Sequence, residues 1–178
     1  MQTVAASVGR AFDVVWERLL TRVRGLGDAE YFWEPVPNCW SLRAQANGDW
    51  LLDGDGGGGP TPEPVPVTTI VWRLGHIAGT IGGFARMRFG DGEALTAADL
   101  EVPPDATKIT DFLTVHYEAW QDGLQTLPEA EWFAAIGERF GPFAEASTLD
   151  LSLHVLDELA HHAAEVGVLR DLWSAGLR

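Results

Sequence analysis

The sequence has few of the residues on which several common functions depend. Cys39 is the only cysteine among 178 residues, which excludes an intrachain disulfide. Lys108 is the only lysine, and the 12 basic residues are outnumbered by 26 acidic ones, which gives a formal net charge of −14. Because such a chain repels phosphate backbones and anionic lipids, we expect neither nucleic acid nor a membrane as a partner.

Long apolar runs are also missing. No stretch approaches the roughly 20 apolar residues of a transmembrane helix. The N-terminal stretch carries Asp13 and Glu17 within its apolar pattern, which is typical of an amphipathic helix and not of a signal peptide. A cytoplasmic protein is therefore the expectation.

The residues that are present predict a helical domain. Hydrophobic residues make up 46% of the chain, and its length suits one domain covering residues 1–178. Helical periodicity is found in four segments, which are Phe12 to Val23, Thr68 to Phe89, Thr110 to Leu127, and Ser147 or Thr148 to Ser174. Each of the last three begins at a threonine or serine that is suited to cap a helix. Four amphipathic helices without a sheet predict an all-α four-helix bundle.

The first connection of this bundle, residues 25–67, is long. Asn47 and Gly48 favour a two-residue hairpin turn, so a small β-hairpin is expected there. The run GDGGGGPTPEP, residues 54–64, predicts a mobile loop.

The last helical segment contains an unusual polar stripe, in the run HVLDELAHHAAEVGVLRDL at residues 154–172. At about 100° per residue, His162 falls within the apolar arc of the helix and Glu158 at its edge. His154, His161 and Glu165 fall on the side toward solvent. Glu158 and His162 are therefore the pair that faces the core, one turn apart.

Burying a carboxylate with an imidazole costs free energy unless the two groups pair or coordinate a cation. Glu158 and His162 therefore form either an intrahelical ion pair or part of a site for a divalent metal. A third ligand is available in His76, whose neighbours on its helix are Trp72, Thr80, Gly83 and Met87. Such uncharged neighbours indicate a face turned toward a cleft or another helix. A histidine bonded to a backbone carbonyl is the alternative.

These motifs resemble a known family. The pairing of TTIVWRLGHIAG with HVLDELAHHAAEVGVLRDL resembles the DinB-like superfamily of metal-binding four-helix bundles, and YFWEPVPNCWSLR is similar to the stretch before the second helix of its actinobacterial members. The resemblance covers roughly residues 5 to 175. It implies zinc or nickel bound by one histidine of the second helix and two ligands one turn apart on the fourth.

The ligand positions of the family map onto His76, Glu158 and His162. Many members have histidine where this chain has Glu158, but the metal-binding domain of mycothiol-dependent maleylpyruvate isomerase is similar in its His, Glu, His set. Glu165 stands where glutamine is usual. Three protein ligands leave a coordination position open, as in catalytic zinc sites.

The resemblance implies a thiol-dependent S-transferase or isomerase that acts on a small molecule with mycothiol or a related low-molecular-weight thiol. A metal-dependent hydrolase and a non-catalytic binding or stress-response module with a tryptophan-lined cleft are the alternatives. The sequence assigns no catalytic residue. Exposed apolar helix faces in such bundles make a homodimer a further expectation.

Other candidates have weaker support. His116 lies in the apolar repeat of the third helix and is expected to be a hydrogen-bonded core residue, with a fourth ligand or a proton shuttle as the alternatives. Cys39 has no activating partner close in sequence, which does not favour a nucleophilic role. Arg73, Arg86 and Arg88 either attract an anionic substrate or only offset the acidic surface.

Overall fold

Four long helices form the body of the fold, as the hydrophobic repeats predict. The computed structural model describes residues 3–54, 62–96 and 99–177. Its elements in chain order are α1 (Val4–Val23), α2 (Asp28–Tyr31), β1 (Leu42–Ala44), β2 (Trp50–Leu52), α3 (Ile70–Phe89), α4 (Ile109–Thr126) and α5 (Thr148–Ser174). The expectation of an all-α bundle with a small β-hairpin in its first connection is confirmed.

The four long helices close into a ring in which each packs mainly against two others. α3 packs against α4 and α5, and α1 packs against α5 and α4. α3 and α5 are antiparallel, because His76 faces Glu158 at 3.3 Å while Arg88, three turns later, bonds Thr148 at 3.0 Å. This antiparallel contact brings the histidine of α3 opposite the polar stripe of α5.

α1 and α4 are also antiparallel. The Tyr117 hydroxyl bonds Asp13 at 2.8 Å, and the Gln121 amide, one turn further along α4, reaches back to the carbonyl of Gly9 at 3.3 Å. Neighbouring α3 and α4 run in the same direction, and so do α1 and α5. The connection from α3 to α4 therefore has to cross the length of the bundle.

The helix starts are set by side-chain caps at two of the three predicted places. Thr69 accepts a hydrogen bond from the amide of Trp72, and Ser147 forms a reciprocal capping box with Asp150. The predicted cap at Thr110 is wrong, because α4 begins one residue earlier. A 3₁₀ turn over Ala106–Lys108 leads directly into it, and Asp105 caps that turn.

The hairpin forms as predicted, but its loop is longer by one residue. Leu42 pairs with Leu52 and Ala44 with Trp50. The amide of Gly48 donates to the carbonyl of Gln45 at 3.0 Å, and Gly48 has a φ of 93°. Because the amide of Gln45 also donates to the carbonyl of Asp49 at 2.7 Å, the loop proper has three residues, 46–48, with glycine in the left-handed position. Asn47 and Gly48 lie within the turn but are not its two central residues.

The bundle core is apolar on all four helices. Its fully buried side chains include Phe12 and Leu19 of α1, Leu74, Ile77 and Ile81 of α3, Leu113, Trp120 and Leu124 of α4, and Val155, Leu159 and Val166 of α5. Each contributes about 1.5–3 kcal/mol of burial free energy. This packing fixes the relative positions of the polar residues on α3 and α5.

The first connection contains one helix that the periodicity does not predict. α2 has only four residues, yet its Glu30 is 6% exposed and is paired by Arg170 of α5, with Nε to Oε1 at 2.9 Å. The predicted mobile loop lies mostly at residues 55–61, outside the described residues. Among the helices of the described ranges, none has both the length and the apolar content needed to span a bilayer.

Candidate metal centre

The antiparallel contact between α3 and α5 brings His76, Glu158 and His162 together. Oε2 of Glu158 lies 3.3 Å from Nε2 of His76 and 3.3 Å from Nε2 of His162. The side chains of His76 and Glu158 are each 23% exposed, and that of His162 is 8% exposed. The three residues selected from the sequence thus form one partly buried cluster at the edge of the core.

The distances from the Glu158 carboxylate to the two imidazoles suit a single small cation. Two ligands that each lie about 2.0–2.1 Å from a tetrahedral ion are separated by about 3.3–3.4 Å. Both nitrogen–oxygen separations in the cluster are 3.3 Å, longer than the roughly 2.7–2.9 Å of a good charge-assisted hydrogen bond. Two imidazole nitrogens and one carboxylate oxygen also match the ligand types of zinc and nickel. The residues fit a divalent metal.

Glu165 determines which nitrogen of His162 carries the proton and which has a lone pair available for a metal. Two groups approach Nδ1 of His162: Oε2 of Glu165 at 2.7 Å and the Arg73 guanidinium at 3.2 Å. A carboxylate only accepts and a guanidinium only donates, so we assign the proton to Nδ1 on the shorter contact, the one with Glu165. The lone pair of His162 is then on Nε2, the atom that faces Glu158. Metal-ligating histidines are commonly held by a carboxylate in this manner.

Arg73 forms an ion pair with Glu165 from the opposite helix. Its Nε lies 2.9 Å from Oε2 of Glu165, and the arginine side chain is 16% exposed. The positive charge offsets the second carboxylate of the cluster. The helical repeat predicts that Glu165 faces solvent, and only the packing of α3 against α5 brings Arg73 to it.

His76 is oriented by the aromatic ring one turn before it. The rings of Trp72 and His76 stack with centroids 5.0 Å apart and planes within 8°. Nε1 of Trp72 donates to the carbonyl of Asp53 at 2.7 Å, which ties this ring to the segment that follows β2. The hairpin therefore helps to hold His76.

The protonation states of the α5 pair favour cation binding. Burial lowers the pKa of His162 below the usual histidine value, although the bond to Glu165 acts in the opposite direction. Burial opposes ionisation of Glu158, but the hydrogen bond with His76 and the histidine charges outweigh it, so its pKa is lowered. A neutral imidazole beside an ionised carboxylate is the state that metal ligands adopt.

A second group of three donors overlaps the first. His161, His162 and Glu165 also lie close together. All three belong to α5, and the His161 side chain is 44% exposed, with its Nδ1 2.9 Å from the carbonyl of Asp157. We assign the centre to the cross-helix group, because Glu165 is already bonded to Nδ1 of His162.

The remaining histidines lie away from the cluster. His154 is exposed on α5 and packs edge-on against Phe84. His116 of α4 packs against Gly82 and the ring of Phe112, and burial lowers its pKa. Neither belongs to a group of metal-ligating side chains within the described ranges.

The structure distinguishes among the other candidate residues, the three arginines of α3 and Cys39. Arg86 pairs with Asp91 and Arg88 with Glu131, so of the three α3 arginines only Arg73 contacts the centre. Cys39 is buried, its thiol donates to the carbonyl of Val36 at 3.1 Å, and burial raises its pKa. A raised pKa makes Cys39 a poor nucleophile.

A cavity of about 220 Å³ opens beside His76. Besides His76, its described lining consists of leucine, methionine, phenylalanine, alanine, threonine and glycine residues, with no tryptophan. The expected tryptophan-lined cleft is therefore wrong for the part of the wall that the structure describes. Trp72 instead stacks against the ring of His76.

Comparison with known proteins agrees with this architecture. The model of the DinB superfamily matches residues 11–166. The chain belongs to the DinB superfamily. Among solved structures, a conserved protein from Enterococcus faecalis is similar to this DinB-superfamily chain, with a TM-score of 0.61 and 12% identity over 97% of this chain and 98% of that one. At this identity the likeness shows the fold alone, and no curated protein matches the sequence.

Proposed function

We propose that this DinB-superfamily chain binds one divalent metal, zinc or nickel, through His76, Glu158 and His162, and uses it to activate a low-molecular-weight thiol. The observation that carries the proposal is the set of three donor atoms from two helices that lie within 4.8 Å of one another. The reaction class is thiol-dependent S-transfer or isomerisation of a small molecule. It comes from the family resemblance and from the open coordination position.

Each residue of the centre has a definite task in this proposal. Nε2 of His162 is directed at the metal position, because Nδ1 donates to Glu165 at 2.7 Å. Glu158 supplies the anionic ligand, and Trp72 keeps the ring of His76 in place. Arg73 limits the negative charge that Glu165 adds. A divalent cation bound there would supply Lewis-acid stabilisation of a thiolate at neutral pH.

A second candidate function is favoured by the cavity beside His76. An apolar cavity next to polar donor atoms is typical of small-molecule binding sites, and binding alone requires no turnover. In this alternative the chain is a non-catalytic binding module. The two functions differ in whether a thiol reaches the metal.

Cobalt substitution tests the thiol role directly. Cobalt(II) replaces zinc in His and carboxylate sites and absorbs in the near ultraviolet when a thiolate coordinates it. We expect 2-mercaptoethanol to produce this charge-transfer band in the cobalt-loaded chain. We also expect His162→Ala to abolish it, because the ligand on α5 is lost.

His154→Ala is the matched control, because His154 is an exposed histidine on the same helix. It should keep the full band. A cobalt-loaded chain whose spectrum does not change with thiol would contradict the thiol role and favour the binding module.

A further inference from the structure

The cavity beside His76 has a composition that defines its ligand. It lies between one face of α3 and the connection that follows α3. Its wall includes Thr80, Gly83, Phe84, Met87, Leu95 and Leu100. His76 forms part of the same wall, so the cavity borders one of the three candidate ligands.

Glycines on α3 explain why the cavity is there. A Cβ at Gly79 would lie 2.9 Å from Cδ2 of Leu100, so the connection approaches α3 closely at this glycine. A Cβ at Gly83, one turn further, would have no atom within 4 Å. The connection thus closes against α3 at Gly79 and leaves open space at Gly83.

The wall offers little to a charged ligand. Apart from His76, the described lining residues carry no ionisable group. The Thr80 hydroxyl lies one turn from His76 and makes no hydrogen bond within the described part of the chain. An ion inside this wall would lose hydration without gaining a partner, whereas an apolar group with one hydroxyl or carbonyl would be satisfied.

We propose that this cavity binds an uncharged, mainly apolar group of about ten non-hydrogen atoms, whose single polar atom hydrogen-bonds Thr80 and whose reactive end points to His76. The size follows from the volume of about 220 Å³, which exceeds a benzene-sized cavity but is below the range of drug-sized sites.

The inference rests on the proposed function only for the chemistry that follows binding. In that setting the cavity holds the apolar acceptor molecule, and the polar body of a thiol such as mycothiol stays outside it. Binding of the apolar group itself requires no metal. The two proposals can therefore be tested separately.

Fluorine NMR of the metal-free chain, with para-fluorobenzyl alcohol as the probe, tests the cavity. At mildly alkaline pH, where histidine is neutral, we expect the alcohol to bind at least roughly tenfold more tightly than para-fluorobenzoate or para-fluorobenzylamine, because the charged probes lose hydration. Equal affinity for the three probes, or no binding of the alcohol, would overturn the proposal.

Two variants locate the binding. Gly83→Leu fills the open space and should weaken binding of the alcohol by roughly tenfold or more, while Gly83→Ala should change it little. Thr80→Val should weaken binding of the alcohol by roughly threefold to tenfold without affecting para-fluorotoluene. Unchanged affinity in both Gly83→Leu and Thr80→Val would place the probe elsewhere and overturn the proposal.

Adding zinc to the same binding assay distinguishes a failure of the cavity assignment from a failure of the proposed function. Zinc should tighten binding of para-fluorobenzyl thiol but not of the alcohol, because only the thiol gains a ligand bond. If zinc has no effect on this thiol and 2-mercaptoethanol gives no charge-transfer band in the cobalt-loaded chain, the proposed function fails while the cavity assignment stands. If the alcohol does not bind the metal-free chain, the cavity assignment fails whatever zinc does.

Discussion

Glu165 is one of two residues, with Glu158, at which the candidate centre of this chain departs from the pattern it resembles. Where relatives commonly have glutamine, this carboxylate accepts from Nδ1 of His162 at 2.7 Å and pairs with Arg73 at 2.9 Å. Its contact with His162 lies within α5 and sets the tautomer of a proposed ligand, and its contact with Arg73 reaches across to α3. This is a positioning role, because Glu165 acts through His162.

Glu165→Ala should weaken zinc affinity by about 10–100-fold, the usual effect of removing a carboxylate behind a metal-binding histidine. Glu165→Gln should recover part of the loss, since an amide oxygen still accepts from Nδ1. A competition titration against a chromophoric zinc chelator measures both affinities.

Asp157→Asn is the control for this series, because its carboxylate is exposed on the same helix. It should leave zinc affinity unchanged, and all three metal-free variants should unfold close to the parent temperature. Parent-like zinc affinity in Glu165→Ala would rule out the positioning role.

The sequence identifies some of these residues and misses others for a physical reason. The helical repeat alone predicts that His162 and Glu158 face inward, and in the structure His162 is buried. The repeat contains nothing about the opposite helix. The contacts of Glu165 with Arg73, and of His76 with Glu158, depend on how α3 and α5 pack.

Among the elements, α3 contains two adjacent glycines that differ in their tertiary contacts. Alanine variants of the two can therefore distinguish the effect of packing from that of helix propensity. Gly82 lies against the ring of His116, whereas Gly83 borders open space. The two neighbours occupy the same helix with the same intrinsic preference. Any difference between their alanine variants must come from tertiary contacts.

Gly83→Ala should raise the free energy of unfolding by about 0.5–1 kcal/mol, because alanine loses less backbone entropy than glycine. Gly82→Ala should lower it by about 1–3 kcal/mol, since the added methyl group overlaps His116 and forces the ring to move. Urea denaturation of both variants measures the difference. A Gly82→Ala variant as stable as Gly83→Ala would show that His116 is not packed as described.

Helix ends and connections differ in how well the sequence predicts them. Ser147 and Thr69 carry local capping signals, so the starts of α5 and α3 could be predicted to within a residue. α4 has no side-chain cap at its start, and the threonine at 110 therefore misleads. The 3₁₀ turn before it depends on Asp105, which lies outside the apolar repeat.

For the whole molecule, the apolar repeats determine the bundle and the connections determine the cavity. The four helices can be predicted because each has its own hydrophobic face. Leu95 and Leu100 line the cavity from a segment without periodicity, so no sequence pattern indicates where it crosses α3. The expected homodimer and the cytoplasmic location stay predictions.

The proposed metal centre would also affect the molecule as a whole, because a cation bound there would link α3 to α5. A cation that binds only the folded chain stabilises it by about 2.7 kcal/mol at a hundredfold excess over its dissociation constant. Removal of the metal should therefore lower the unfolding temperature, and loss of either helix's ligand should remove the effect.

The most direct test of the central claim is elemental analysis of the purified chain after zinc repletion and dialysis, beside His76→Ala and His154→Ala. We predict about one zinc or nickel per chain in the parent and in His154→Ala, and negligible metal in His76→Ala. Negligible metal in all three, or equal metal in the parent and His76→Ala, would contradict a centre shared between α3 and α5.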